Sequence, residues 1–417
     1  MKILMVNKFF YIKGGSETYY FSLKRLLEKK GHTVIDFSMK DERNFYSEYS
    51  RYFVENVDYN TGGVLKKINA GLNIIYSQEA KNKFEQLVHD TKPDLIHLHI
   101  FQHQISPSIL DVIKKYKLPA VYTAHDLKML CLNYKMLQHG KICEKCRGGK
   151  YYHCALNKCV KNSFIKSCIN VEEGYFHSWR KSYDAIDEIT TPSSFYKKKF
   201  EEFGIDPNRV THIPNFLDTE KVRVNITKEN TAYYLYLGRL SEEKGIFTLL
   251  KAFRNINANL YIVGTGPLER KTEQYIQENN MHYVKQLGFK SGQELKDIVG
   301  NAKAVILPSE WYENGPYSAI EALQLGRPII GADIGGIPEL VNGNGFLFRS
   351  GDVKELAEKV NKFQNMSNEE YVAMEKSSYR LFQRNYTADN HYKKLKKIYQ
   401  KALLKKGKEQ NEKNSIV

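Results

Sequence analysis

Nowhere does the sequence hold an uninterrupted apolar run near the roughly eighteen residues that a bilayer-spanning helix needs, so no membrane span is expected. The opening Met1–Lys8 is apolar only from Ile3 to Val6 before Asn7 and Lys8 interrupt it, with no cleavage site after. It reads as a buried first strand, not a secretory leader, and a cytoplasmic chain is expected. Cysteine is scarce: there are six, all between Cys131 and Cys168. Thiols or metal ligands fit such a chain better than disulfides. Acidic residues are also short, 47 against 63 basic ones, for a formal charge of +16. That excess implies an anionic companion: nucleic acid, a phosphorylated ligand or an acidic membrane surface. Apolar residues make up 42 % of the chain, enough for a large core.

Short apolar runs alternate with longer amphipathic ones. Ile3–Val6 precedes a helical pattern through Phe21, Leu23, Leu26 and Leu27. A long helical region is expected from about Val64 to Val88, and further strands at 94–99, 120–124, 185–191 and 210–213. The alternation restarts at Tyr233–Tyr236 and runs to 328–331. Two series of this kind predict two doubly wound α/β domains, spanning 1–214 and 215–385 and joined near residues 214–222, with a ligand cleft between them. The segment 386–404 has one apolar face and is expected to dock as a helix on the first domain, or through its lysines on a membrane. Residues 405–417 are polar and expected to be disordered.

Arg239 and Lys244 leave a strand and enter a helix between Gly238 and Gly245. Two cations at a helix start suit a diphosphate; as an isolated motif they fit solvated surface charges equally well. Val263-Gly-Thr-Gly-Pro-Leu-Glu269 lacks the third glycine of a dinucleotide fingerprint and reads as a tight turn. Glu313 precedes a loop-forming Asn314-Gly315-Pro316, and Glu321 follows one helical stretch later, so the two carboxylates serve different ends. A glycosidase would need both groups flanking one bond.

These residues form an ordered set: Gly238-Arg239 with Lys244-Gly245, Gly264-x-Gly266, Leu287-Gly288-Phe289, Pro308-Ser309, Glu313-x7-Glu321, and Gly335-Gly336-x-Pro338-Glu339. The N-terminal half adds Gly14-Gly15-x-Glu17, Pro93-Asp94-x-Ile96-His97 and Thr123-Ala124-His125-Asp126. The whole resembles the family-4 retaining glycosyltransferases of GT-B fold, two Rossmann-like domains facing across a cleft. The resemblance implies transfer of a sugar from a nucleotide-diphosphate sugar to a hydroxyl acceptor, in surface polysaccharide or glycoconjugate synthesis. It implies that Glu313 faces the donor sugar and that Asn314, Gly315, Pro316 and Tyr317 present backbone groups to its hydroxyls. Glu321 would reach the ribose, Arg239 and Lys244 would hold the diphosphate, and Gly238, Gly266 and Phe289 would line the nucleotide site. His125 would reach the sugar from the other lobe. Gly14 and Gly15 would border the diphosphate and acceptor, and Asp126 would orient His125 or touch the acceptor. With no Asp-x-Asp anywhere, the two cations replace a metal as counter-charge, and no cofactor is expected for catalysis.

The cysteine block resembles an insert, spanning 131–168, found in a subset of these transferases. Cys143-x2-Cys146 has a metal-knuckle spacing, and two of Cys131, Cys154 and Cys159 would complete a four-sulfur structural zinc. Free thiols and disulfides are the other readings. His97, His99 and His103 are read as core or acceptor-side groups rather than metal ligands. A glycan or polyprenyl-linked acceptor is expected, with peripheral contact at the inner face of the plasma membrane involving Tyr175, Trp179, Arg180 and Tyr183. The alternatives are a zinc-containing nucleic-acid-binding protein and a catalytically inactive nucleotide-binding scaffold; the preferred reading carries no nucleic-acid partner.

Overall fold

A computed structural model of the chain describes residues 1–57, 71–218 and 233–414. The start of the helix expected over 64–88 and the end of the junction near 214–222 lie outside the described residues.

In chain order the strands are β1 Lys2–Val6, β2 Thr33–Phe37, β3 Leu95–Leu98, β4 Ala120–Thr123, β5 Leu137–Gln138, β6 Lys141–Ile142, β7 Glu188–Thr191 and β8 Val210–His212. They continue with β9 Tyr233–Leu237, β10 Asn259–Val263, β11 Val284–Gly288, β12 Ala302–Leu307, β13 Ile329–Ala332 and β14 Gly345–Phe348. Two six-stranded sheets result, ordered β2-β1-β3-β4-β7-β8 and β11-β10-β9-β12-β13-β14, with β5-β6 as a small separate hairpin. Every pairing in the large sheets is parallel. The strand expected over 185–191 starts later, because Ser182–Ala185 forms a 3-10 turn.

Parallel sheets bury both faces, and β1 shows how the sequence meets that demand. Leu4 and Val6 join Ile35, Phe37, Ile96 and Leu98 in one cluster, while Ile3 and Met5 join Val34 and Leu95 in another. The second cluster is covered by helix Gly15–Lys29 through Tyr19, Leu23, Leu26 and Leu27, and by Leu395, Ile398, Tyr399 and Ala402 of the last helix. A single larger core holds the second domain together.

That last helix, Ala388–Asn414, crosses from the second domain back to the first. His391 bonds Tyr19 at 3.0 Å and the Pro214 carbonyl at 2.8 Å, and Tyr399 bonds His97 at 2.7 Å. Residues 405–414, expected in a disordered tail, continue the helix. The physical reason is a pair of acidic residues at the start of β7. Lys401 pairs with Glu188 at 2.8 Å, and Lys405 and Lys406 reach Asp187 at 3.8 and 3.1 Å.

Arg327 and Glu375 form an ion pair at 2.5 Å inside the second domain, with side chains 2 % and 1 % exposed. Removing one member of a buried pair strands the other charge. Glu375→Ala is therefore expected to destabilise the protein by about 3–5 kcal/mol, read from the urea midpoint. A cost under about 1 kcal/mol would show that the pair behaves as a solvated one.

Candidate active site

In the second sheet the chain runs outward from β9 on both sides, to β10 on one and to β12 on the other. The loops leaving β9 and β12 therefore separate above the sheet and open a crevice at the carboxyl ends of the strands. The β9 loop carries Gly238, Arg239 and Lys244; the β12 loop carries Ser309, Glu313 and Asn314. The first sheet reverses between β1 and β3, and at its carboxyl edge Tyr19 of helix Gly15–Lys29 packs on His99, ring centroids 5.7 Å apart.

Glycines let the two loops of the second domain close on each other. Gly245 has φ +68°, and a Cβ there would sit 1.8 Å from the Pro308 carbonyl oxygen. A Cβ on Gly264 would fall 2.0 Å from the Gly238 oxygen, and one on Gly266 2.4 Å from that of Leu240. The incomplete dinucleotide fingerprint is thus a packing device that seats the Arg239 loop.

Across this contact Lys244 Nζ meets Glu313 Oε1 at 2.6 Å, and Ser309 Oγ donates to the same oxygen at 2.6 Å. Glu313 is buried. Burial alone would push its carboxyl up; the Lys244 charge and the bonds from Lys244 and Ser309 outweigh that and hold it below the ordinary range. Gly335 and Gly336 press on the backbone of Glu313, whose carbonyl accepts from Gly336 N at 2.8 Å. Arg239 is exposed and forms no ion pair among the described residues. Glu321 lies one turn into helix Tyr317–Gln324. Burial raises its carboxyl to about 7, and no cation among the described residues offsets this. Phe289 stands 73 % exposed on the rim beyond β11.

The facing lobe meets these loops directly. Asn314 Nδ2 donates to the carbonyls of Ala124 at 2.8 Å and His125 at 3.2 Å, and its oxygen accepts from Ser193 Oγ at 2.9 Å. Asn215 Nδ2 donates to Gly315 O at 2.9 Å, and Gly15 abuts the Tyr317 ring. Pro316 caps the helix that Tyr317 begins. His125 Nε2 bonds His99 Nδ1 at 3.1 Å, and burial pulls the His125 pKa down to about 3, so the ring is neutral. Asp126 accepts from the Lys128 amide at 2.9 Å rather than from His125, and burial raises its carboxyl. Gly14 precedes helix Gly15–Lys29, and Glu17 within that helix is buried, its carboxyl raised by burial.

Of the residues named from sequence, Lys244 and Glu313 meet directly, Asn314 and Gly315 bond the facing lobe, and Gly15 abuts Tyr317; Phe289 stands apart from these contacts, and the cysteines gather elsewhere. Sequence reasoning quoted Glu339 in a motif but did not read its role in joining the lobes. Glu339 accepts from the amides of Ser194 and Phe195 at 2.8 Å each, so a carboxylate of one lobe caps the start of helix Ser194–Glu202 in the other. Ser193 and Asn215 were given no role at all. Lys8 and Lys13 stand over the Phe9 ring at 4.7 and 3.9 Å, and burial lowers both, Lys8 to about 8. Five cysteines, Cys131, Cys143, Cys146, Cys154 and Cys159, line a common pocket in the insert, while Cys168 stands outside its lining.

A family model described as Glycosyltransferase Family 4 matches residues 13–221, half of the chain, and one described as Glycosyl transferases group 1 matches 218–381. The chain belongs to glycosyltransferase family 4. An uncharacterized glycosyltransferase of Methanocaldococcus jannaschii is 23 % identical over 402 residues, 96 % of this chain and 98 % of its own. The amylovoran biosynthesis glycosyltransferase AmsK of Erwinia amylovora is 32 % identical over 189 residues, 42 % of this chain and 46 % of its own. HepE of Anabaena, solved in complex with UDP, superposes with a TM-score of 0.66 at 17 % identity, covering 95 % of this chain and 99 % of that one. The fold of this family-4 glycosyltransferase is accordingly GT-B, which leaves the nucleic-acid-binding reading without support. Among the described residues no helix is long and apolar enough to cross a membrane.

Glu321 gives the folded enzyme a signature in pH. Its folded pKa of about 7 lies above the ordinary 4.5, so the folded state holds the proton more tightly than the unfolded one. Stability falls as pH rises from about 4.5 through about 7. Glu321→Gln should match wild type near pH 5 and exceed it at pH 8 by about 1–3 kcal/mol. Denaturation curves across that range test this; a difference independent of pH would refute it.

Proposed function

We propose that this glycosyltransferase moves a hexose from a nucleotide-diphosphate sugar to a hydroxyl acceptor with retention of anomeric configuration, in surface polysaccharide or glycoconjugate synthesis. The observation that carries the reading is the meeting of Lys244, Glu313 and Ser309 at the switch point of the second sheet, with Arg239 on the same loop in no ion pair among the described residues. The UDP bound by HepE and the amylovoran role of AmsK support a nucleotide donor and a polysaccharide product.

In this mechanism the bond from the anomeric carbon to the phosphate oxygen breaks as a bond to the acceptor oxygen forms on the same face. The acceptor proton passes to the departing phosphate. Arg239 and Lys244 stabilise the charge that develops there. Glu313 and the backbone of Asn314–Tyr317 hold the sugar hydroxyls, and Glu321 takes the ribose hydroxyls. His125, neutral and bonded to His99, contributes a dipole to the sugar and not a base. Gly14, Gly15 and Asp126 border the acceptor. Arg239 and Lys244 serve as the counter-charge in place of a divalent ion, so turnover is expected to be independent of added magnesium or manganese.

The acceptor we assign is a glycan on a polyprenyl-type lipid, approached at the inner face of the plasma membrane. Tyr152, Leu156, Phe164, Ile165, Tyr175 and Trp179 are all exposed within one stretch. Residues 150–181 hold six Lys or Arg against two Glu, which suits an anionic membrane surface. Tyr183, grouped with them on sequence, packs instead against the first core.

A panel of nucleotide sugars assayed for transfer and slow hydrolysis identifies the donor. Lys244→Ala should lower kcat by about a hundredfold or more, with the anomeric proton of the product showing the donor's configuration by NMR. An unchanged kcat removes the clamp from the mechanism, and an inverted product removes retention.

A further inference from the structure

The cysteine pocket lies outside the cleft and no step of the transfer uses it. Its lining joins Cys131, Cys143, Cys146, Cys154 and Cys159 around an interior of about 10 Å³, room for about one water-sized sphere. Cys131, Cys146 and Cys154 are buried, and all six thiols are free.

Apolar packing does not account for this convergence. The local cluster has only Leu132, Cys146 and Cys154 as buried members. The regular structure around it is slight: the two-residue strands β5 and β6, and helix Tyr152–Leu156. The backbone is also costly. Twelve non-glycine residues have positive φ among the described residues, and six of them, Tyr134, Met136, His139, Lys158, Lys161 and Asn162, fall in this segment. L-residues avoid that region, so a segment built this way needs a cross-link to hold one conformation.

We propose that Cys143, Cys146, Cys154 and Cys159 form a structural site for a single zinc ion. The four make two close pairs, Cys143-x2-Cys146 and Cys154-x4-Cys159, the spacing by which short turns offer two sulfurs to one tetrahedral ion. Sulfur ligands select a soft ion over magnesium or calcium, which require oxygen. Cys131 stays outside the sphere, its thiol turned to Asn133 Oδ1 at 3.1 Å. Among the described residues no three His, Cys, Asp or Glu side chains stand placed to hold a metal ion, so the thiols must draw together to bind one. Binding closes the sphere: four thiols lose four protons as four zinc–sulfur bonds form. The resulting site carries two negative charges, amid Lys141, Lys145, Arg147, Lys150 and Lys158 along the same segment.

The site fixes two arms that reach the other lobe. Glu144, between the first two ligands, accepts from Tyr312 OH at 2.7 Å and pairs with Lys199 at 2.9 Å. Lys135 pairs with Glu243 at 3.2 Å. Tyr312 and Glu243 are the chain neighbours of Glu313 and Lys244. Zinc therefore acts at the cleft as a positioning element, a consequence that rests on the donor site proposed above; the metal site itself does not.

Elemental analysis of the full chain, purified in reductant without a histidine tag, tests the site. About one zinc per chain is expected in wild type, Cys131→Ser and Cys168→Ser, and loss of it in Cys146→Ser and Cys154→Ser. Alkylation of native wild type followed by mass spectrometry should find Cys143, Cys146, Cys154 and Cys159 protected until a chelator is added with denaturant, which keeps the test decisive where a variant does not fold. Six reactive thiols after zinc reconstitution, a disulfide among these cysteines, or visible iron–sulfur absorbance would each overturn the proposal. Zinc loss in Cys131→Ser would overturn the ligand assignment.

Discussion

The ion pair between Lys244 and Glu313 is the contact on which the second lobe's chemistry turns. It joins the loops of β9 and β12, which topology drives apart, and it does so at the one place where both strands end together. A carboxylate as buried as Glu313 stays ionised only because Lys244 and Ser309 face it. Removing either charge would leave the other isolated in a crevice whose glycines were selected for closeness, not for adaptability. In the proposed transfer the arriving diphosphate competes with Glu313 for Lys244, so the pair in the free enzyme is a placeholder for the donor.

What was legible in the sequence follows from where chemistry sits relative to the chain. The loops after β9, β10 and β12 each carry charged residues and glycines in short spans, so Arg239, Lys244, Glu313 and Gly264-x-Gly266 could be read as local patterns. Short apolar runs set between amphipathic stretches likewise revealed both sheets, because strands buried on both faces and their covering helices leave that trace directly. The clasp between lobes left no such trace. Asn215 and Ser193 are ordinary loop residues, Glu339 sits in a short 3-10 turn, and their partners lie 100 or more positions away. The length of the last helix was misread for the same reason: its polar end looks unsupported until Asp187 and Glu188 are seen beneath it.

The first lobe is organised around neutrality. His97 bridges Tyr399 and Thr123, Thr123 continues to Thr190, and His99 bonds His125. Tyr19 sets its ring edge on His125 and its hydroxyl on His391. Burial holds His97 and His125 near 3 and His99 well below its ordinary value, so these rings donate and accept hydrogen bonds without taking up protons. The last helix, through His391 and Tyr399, is built into that network.

Such an arrangement limits what the first lobe can do in the reaction. A histidine that stays neutral across the physiological range makes a poor general base, and Asp126, the nearest carboxyl in sequence, accepts from the Lys128 amide with one of its oxygens. The acceptor proton is then best received by the group whose basicity rises as the bond breaks, the departing phosphate. In the proposed transfer, that would place acid–base work on the substrate and leave the protein two tasks, charge stabilisation from the second lobe and alignment from the first. Several contacts between the lobes, those of Asn314, Asn215 and Glu339, are hydrogen bonds to backbone carbonyls and amides. Such contacts fix orientation closely, yet water can replace each of them when the lobes part to exchange ligands.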